Sequence, residues 1–410
     1  MKINYEDYLQ FKDNITTNNY IEDYTNNIIV KDSTISFIII TKNEERSIER
    51  CVNSILDSIS NDDELIIVDT GSTDSTLDII KKYLVNDNIY LKNYYWNNNF
   101  AHCRNNSITY ANNDWIFFVD SDEYLDRNSI KNLKKYISII EYYNKSNIFI
   151  NPTIINTNDH IINGVTRIFK NNNKVKYIGT VHEIPIIEEE SYEIFSFENI
   201  ILYHDGYDMN IVDLNQKINR NLVLLKNMIK MSNDTRWKYL YSRDGKYVWD
   251  TERYERSLIN VINNESDNYS EYYYAAARDL VELYLNINDI HSAILYLNIL
   301  KSKGINNSDI FYFENIISWK ELKNKEIKLL QSINEYRDEQ TRIDYGALHS
   351  NYYHIDYLIS QIMISLNMIS QGINIQTELK DKGVFDYSID INELLDVVNK
   401  LKTKGCSYEV

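Results

Sequence analysis

Between residues 35 and 120 the chain alternates unbroken apolar runs with segments of helical spacing. ISFIIIT (35–41), ELIIVD (64–69) and WIFFVD (115–120) are almost wholly apolar and rich in β-branched or aromatic residues. That is the texture of strands covered on both faces. NEERSIERCVNSILDSI (43–59) sets Ile48, Val52, Ile55 and Ile59 at helical spacing, with Asn43 as the expected cap and Glu44 and Glu45 in the first turn. GSTDSTLDIIKKYL (71–84) predicts a turn and a helix capped by Ser72 or Asp74. NIYLKNY predicts a short strand, and FAHCRNNSITYA (100–111) another helix. Strand and helix in this rhythm mean βαβ units and a parallel sheet. Such sheets bind ligands beyond the carboxyl ends of their strands. Thr41–Asn43, Asp69–Thr70 and Asp120–Asp122 are therefore expected to converge at one edge.

Residues 1–33 are polar and predict a short helix and loop. From about 147 to 204 the pattern is β-rich, read as antiparallel strands added to the sheet, and 210–231 predicts a long helix. Beyond 233 the chain is helical in pattern. Segments beginning at Asp234, Ser270 and Ser308 each predict a helix, a polar turn and a second helix. Their offset is near the ~34 residues of a tetratricopeptide-type (TPR) repeat. The expected organisation is an N-terminal extension (1–33), a catalytic α/β domain (34–208), a linking helix (209–232) and an all-α helical-repeat domain (233–410).

Two prolines and ten glycines in 410 residues suit long helices. The net charge of −17 argues against nucleic acid and anionic membrane surfaces as partners. The three cysteines, Cys51, Cys103 and Cys406, have no metal-site or disulfide-framework spacing, and Cys51 reads as a buried, inert thiol. The polar N-terminus lacks a signal-peptide core, and no apolar run approaches the ~20 residues of a membrane span. A soluble cytoplasmic protein is expected.

FFVDSDEYLD (117–126) ends a core strand in a run of acids. Asp120 and Asp122, two residues apart at a strand end, suit a hard divalent cation that shares oxygen ligands with substrate phosphates. Glu123 and Asp126 read as the polar start of the next helix. Asp69, after ELIIV, can accept an N–H from a nucleobase or cap its own turn. Arg104 fits a diphosphate contact and a surface salt bridge equally well. Arg167 is a further phosphate or acceptor contact, or an outward strand residue. In GTVHEIP (179–185), Glu183 can serve as a general base beside His182. His204 in YHDGY can be a metal ligand.

IIITKNEERSIERCVNSI, IIVDTGSTDSTLDII, FAHCRNNSI and WIFFVDSDEYL, in that order, resemble the family 2 inverting glycosyltransferases of GT-A fold. TRIFKNNNKVKYIGTVHEIP, ILYHDGY, a long helix and DTRWKYLYSRDG are similar to the sublancin-type peptide S-glycosyltransferases. The resemblance implies a nucleotide pocket lined by Thr41 and Asn43, with Asp69 on the base and Arg104 near the diphosphate. Asp120 would bind ribose or metal, with Ser121 among the nucleotide-sugar contacts. Asp122 would hold Mg²⁺ or Mn²⁺, with His204 as a further ligand and Glu183 as the base. Relatives commonly carry two adjacent acids after the second strand, where this chain has Asp69 and Thr70.

The expected activity is transfer of a hexose, with UDP-glucose the favoured UDP-sugar, to a Cys or Ser side chain of a ribosomal bacteriocin-type peptide. A homodimer through the helical domain is a further family-based expectation. The alternatives are the same chemistry on flagellin or a cell-surface glycan, and a noncatalytic helical-repeat scaffold.

Overall fold

The computed structural model describes residues 2–3, 5–15, 28–29, 32–143, 147–157, 160–188, 190–205, 214–264, 270–302, 308–339 and 351–383. Cys406, Gly206, Tyr207 and the start of the helix expected from 210 lie outside them. The chain divides into two compact units, Met1–Asn260 and Val261–Val410. This compactness boundary falls later than the 232/233 cut drawn from helical texture.

The first unit opens with β1 (Lys2–Ile3), α1 (Tyr5–Asn14) and β2 (Ile28–Ile29), the two strands pairing antiparallel. The βαβ run follows: β3 (Ile35–Thr41), α2 (Ile48–Leu56), β4 (Glu64–Asp69), α3 (Thr76–Lys81), β5 (Ile89–Asn93), α4 (Phe100–Ile108) and β6 (Trp115–Asp120). Next come β7 (Glu123–Leu125), α5 (Ser129–Tyr142), β8 (Ile148–Asn156), β9 (Ile161–Ile162), β10 (Ile168–Lys170), β11 (Val175–Ile178), β12 (Ile184–Ile187) and β13 (Glu193–His204). The main sheet has the order β5-β4-β3-β6-β10-β8-β13-β7, with β9 beside β8. β5, β4, β3 and β6 are mutually parallel.

Alternate residues of each central strand serve opposite faces of the sheet. Ile35, Phe37 and Ile39 join the core under α2 and α5, while Ile38, Ile66, Val68 and Phe118 join the core beside α4. α1 also belongs to this body, since Phe11 meets Tyr136 edge-on at 5.5 Å. The β-rich segment is not wholly antiparallel. β13 runs parallel to β8, with an irregularity between Phe197 and Ile201, and antiparallel to the short β7. A twelve-residue strand is long enough to pair on both sides at its carboxyl end.

α6 (Leu214–Met231), α7 (Thr235–Gly245) and α8 (Thr251–Asn263) follow, with α8 running across the unit boundary. The second unit contains α9 (Glu271–Asn286), α10 (Ile290–Ser302), α11 (Ser308–Glu339), α12 (Tyr353–Ser365) and α13 (Ile369–Asp381). α9 packs on α10 and α12 on α13. The third expected helix pair is instead one continuous helix of 32 residues, α11. The polar stretch within it, KELKNKE (320–326), contains no Gly or Pro and is mostly strong helix formers, so nothing stops propagation. Among the described residues no helix is long and apolar enough to cross a membrane.

Candidate active site

Strand register brings the expected residues to one edge. Thr41 pairs with Asp69, and Ile40 with Asp120. Beyond β3 and β4 the two loops are stitched together. Asn43 takes a left-handed conformation (φ 55°) and its side-chain carbonyl accepts from Thr73 N–H at 2.8 Å. Asn43 therefore ties two loops and does not cap α2, which starts later, after Ser47. Asp74 Oδ1 accepts from Thr76 N–H at 3.0 Å, at the start of α3. The Asp69 carboxylate accepts from Gly71 N–H at 2.9 Å and from Ser72 N–H at 3.1 Å, so it shapes its own turn as well as facing the edge. Thr41 Oγ1 is buried and has no hydrogen-bond partner among the described residues. Ser121 is buried between the two aspartates.

A chain of alternating charges runs behind this edge. Glu183 Oε1 accepts from Arg104 Nε at 2.7 Å, and Arg104 Nη2 donates to Asp120 Oδ1 at 3.0 Å. Arg167 Nη2 donates to Asp120 Oδ2 at 2.5 Å and to Glu123 Oε1 at 2.7 Å. Both arginines are buried, and the Arg104 guanidinium lies 4.9 Å from the Phe118 ring centroid. Each carboxylate oxygen of Asp120 is thus taken by an arginine. Burial opposes the charge on Asp120, but the two guanidiniums outweigh it and hold its carboxyl well below the usual carboxylate range. Glu123 has only a share of Arg167 and a bond from Asp120 N–H at 2.9 Å. Burial prevails there and pushes its carboxyl up to about 7.

Glu123 is the buried acid of this edge whose place pattern reading did not find. It opens β7 rather than a helix and is fully buried against Arg167, while Asp126 accepts from Asn128 N–H in the following turn. Antiparallel pairing of β7 with β13 sets Glu123 opposite His204. His204 Nε2 then lies 3.3 Å from Asp122 Oδ2, and His204 Nδ1 lies 2.8 Å from Asn156 Oδ1. With Nδ1–H directed at Asn156, a neutral imidazole would turn a lone pair towards a carboxylate. Such a pair needs a proton or a cation between its members. Burial disfavours the imidazolium, yet the bond to Asp122 and the charges of Asp122, Glu123 and Asp120 leave the His204 pKa above its ordinary value.

One carboxylate and one imidazole, the latter oriented by a second side chain, fit the donor chemistry of a divalent metal. Among the described residues no group of three or more His, Cys, Asp or Glu could hold a metal alone. The remaining ligands would be substrate phosphates and water, as is usual for Mg²⁺. Asp205, the residue after His204, accepts from Arg46 at 2.8 and 3.0 Å and from Arg50 at 2.7 Å. Burial of Glu44 raises its carboxyl pKa, and the charges of Asp122 and Asp205 add to this despite a bond from Ser47.

His182 does not join Asp122 and Asp120. Its ring turns to α7, where Nε2 lies 2.7 Å from Asp244 Oδ2. Cys51 and Cys103 are buried, and burial pushes the Cys103 thiol up to about 11. Neither suits a nucleophile.

Residues 36–187 match the family described as glycosyl transferase family 2. Over 353 residues the chain is 28% identical to the SPbeta prophage-derived glycosyltransferase SunS of Bacillus subtilis (strain 168), a match covering 86% of this chain and 82% of that protein. A crystal structure of S. aureus TarS 1-349 in complex with UDP-GlcNAc aligns with TM-score 0.39 and 15% identity, over 66% of this chain and 91% of that one. The mannosyltransferase PcManGT from Pyrobaculum calidifontis, in complex with GDP-Man and Mn²⁺, aligns with TM-score 0.38 and 14% identity, over 72% and 88%.

Proposed function

We propose that this chain, whose residues 36–187 match glycosyl transferase family 2, moves a hexose from a UDP-sugar, UDP-glucose first among the donors, to a Cys or Ser side chain of a ribosomal peptide. The reading rests on the meeting of Asp122 and His204 at the strand edge where Thr41, Asp69 and Asp120 also end. The motifs shared with sublancin-type peptide S-glycosyltransferases favour a peptide acceptor. A divalent cation, Mg²⁺ or Mn²⁺, held by Asp122 and His204 would neutralise charge on the departing diphosphate.

The chain's own residues do the rest. Thr41 offers the nucleotide a hydroxyl that has no hydrogen-bond partner among the described residues, beside Asn43 and Asp69. Arg104 holds one oxygen of Glu183 and Asp120 on its other side, which orients the base. The second oxygen of Glu183 takes the acceptor proton as the acceptor sulfur or oxygen attacks the anomeric carbon and the bond to UDP breaks. A thiol near neutral pH needs less of this help than a hydroxyl.

Location in the cytoplasm and dimerisation through residues 233–410 belong to the same reading. The test is release of UDP on incubation with UDP-glucose, Mn²⁺ and peptides containing Cys or Ser. Release that depends on peptide supports the proposal, and absence of both binding and turnover for every UDP-sugar overturns it.

A further inference from the structure

The stretch DTRWKYLYSRDG (234–245) belongs to no part of the strand edge, yet four of its side chains converge on the loop that carries Glu183. Asp234 caps α7 by accepting from Arg236 N–H at 2.9 Å. Trp237 lies so close to Gly179 that a Cβ at 179 would stand 2.5 Å from its ring. Gly179 itself has φ +101°. Arg236 Nη2 donates to His182 O at 2.8 Å. Asp244 Oδ2 bonds His182 Nε2 at 2.7 Å and accepts from Asn221 of α6 at 3.4 Å, while Arg243 donates to Asp244 Oδ1 at 3.0 Å.

What these contacts hold is a strained turn. His182 has φ +51°, a left-handed conformation that costs a side-chain-bearing residue and persists only where surroundings impose it. The turn sends adjacent side chains to different partners: His182 meets Asp244, and Glu183 meets Arg104. On its other side the loop receives α4. Phe100 N–H donates to Thr180 O at 3.0 Å and Ala101 N–H to Gly179 O at 3.3 Å. The loop is therefore gripped between α4, which carries Arg104, and α7.

We propose that α7, through Asp244, Arg236 and Trp237, is the positioning element for Glu183. It keeps residues 179–183 in the left-handed turn, and the turn aims the base. Asp244 is then a positioning residue that acts on transfer without touching substrate. This rests on Glu183 being the base, and the test separates the two ideas.

Amide exchange is measured on the full chain and on Asp244→Asn, together with transfer from UDP-glucose to a Ser-containing peptide for both, for Glu183→Gln and for the double variant. The expected result is faster exchange at Phe100 and Ala101 in Asp244→Asn, unchanged UDP affinity, and a kcat lower by about 10²-fold, the cost of slight misplacement of a reacting group. The Asp244 change should add nothing to Glu183→Gln. Unchanged exchange, or losses that multiply in the double variant, overturns the proposal. Full transfer by Glu183→Gln overturns the base assignment alone, since the exchange result still decides whether α7 holds the loop. Should Asp244→Asn fail to fold, His182→Gly and His182→Val decide the matter. Glycine accepts φ +51° freely and valine does not, so the glycine variant should transfer faster, and equal rates contradict the role of the turn.

Discussion

Asp122 and His204 meet because β7 and β13 pair antiparallel: the strand that begins one residue after Asp122 sets Glu123 opposite His204. Two residues far apart in sequence thereby become neighbours at the sheet edge. Asn156, at the end of β8 and in register with His204, orients the imidazole.

Metal affinity should follow that orientation. Asn156→Ala removes no direct ligand, yet loss of such an outer contact typically costs about 10–100-fold in affinity. Mn²⁺ titrations of activity should show that shift, and Asp122→Ala should abolish the response while thermal unfolding stays cooperative. Full activity of Asp122→Ala would remove it from the metal site.

The base should matter according to the acceptor. Glu183→Gln should slow transfer to serine by roughly 10²–10⁴-fold, the usual worth of general base catalysis, and slow transfer to cysteine much less. Rates with matched Cys and Ser peptides check this. Equal and negligible losses would count against Glu183.

Arg104 should prove structural as well as functional. Arg104→Ala leaves Glu183 without its charged partner and Asp120 with Arg167 alone, and breaking such a buried pair costs about 3–5 kcal/mol. Denaturant midpoints should fall accordingly. Arg104→Lys should recover only part, because an ammonium cannot present two fixed prongs to two carboxylates. An unchanged midpoint for Arg104→Ala would contradict the charge chain.

The buried thiols should be silent. With its thiol pushed up to about 11, Cys103 is protonated at pH 8, and burial raises the Cys51 thiol well above its ordinary value. Native protein should resist iodoacetamide at both positions, and Cys103→Ala should keep its activity. Rapid labelling of either would place a reactive thiolate where burial forbids one.

The parallel half of the sheet was legible because it is covered on both faces, and that demand writes apolar runs such as ISFIIIT and WIFFVD into the chain. Thr41, Asp69 and Asp120 were placed by the same logic, as strand ends. Glu123 was not, because a three-residue strand leaves no periodicity to read. Arg46, Arg50 and Asp205 escaped for another reason: exposed arginines on a helical segment look like ordinary surface until a distant strand end arrives between them. The Asp244–His182 bond and the unbroken α11 show two further limits. The first depends on tertiary contact alone, and the second on a polar stretch that carries no breaker.

The central claim is most directly tested by the mass of a Cys-containing peptide after incubation with the protein and UDP-glucose, with Mn²⁺ present or chelated. The expected result is a gain of one or more hexoses that requires both the metal and Asp122. A peptide left unmodified under every combination of UDP-sugar and divalent metal, or modified equally well by Asp122→Ala, would contradict it.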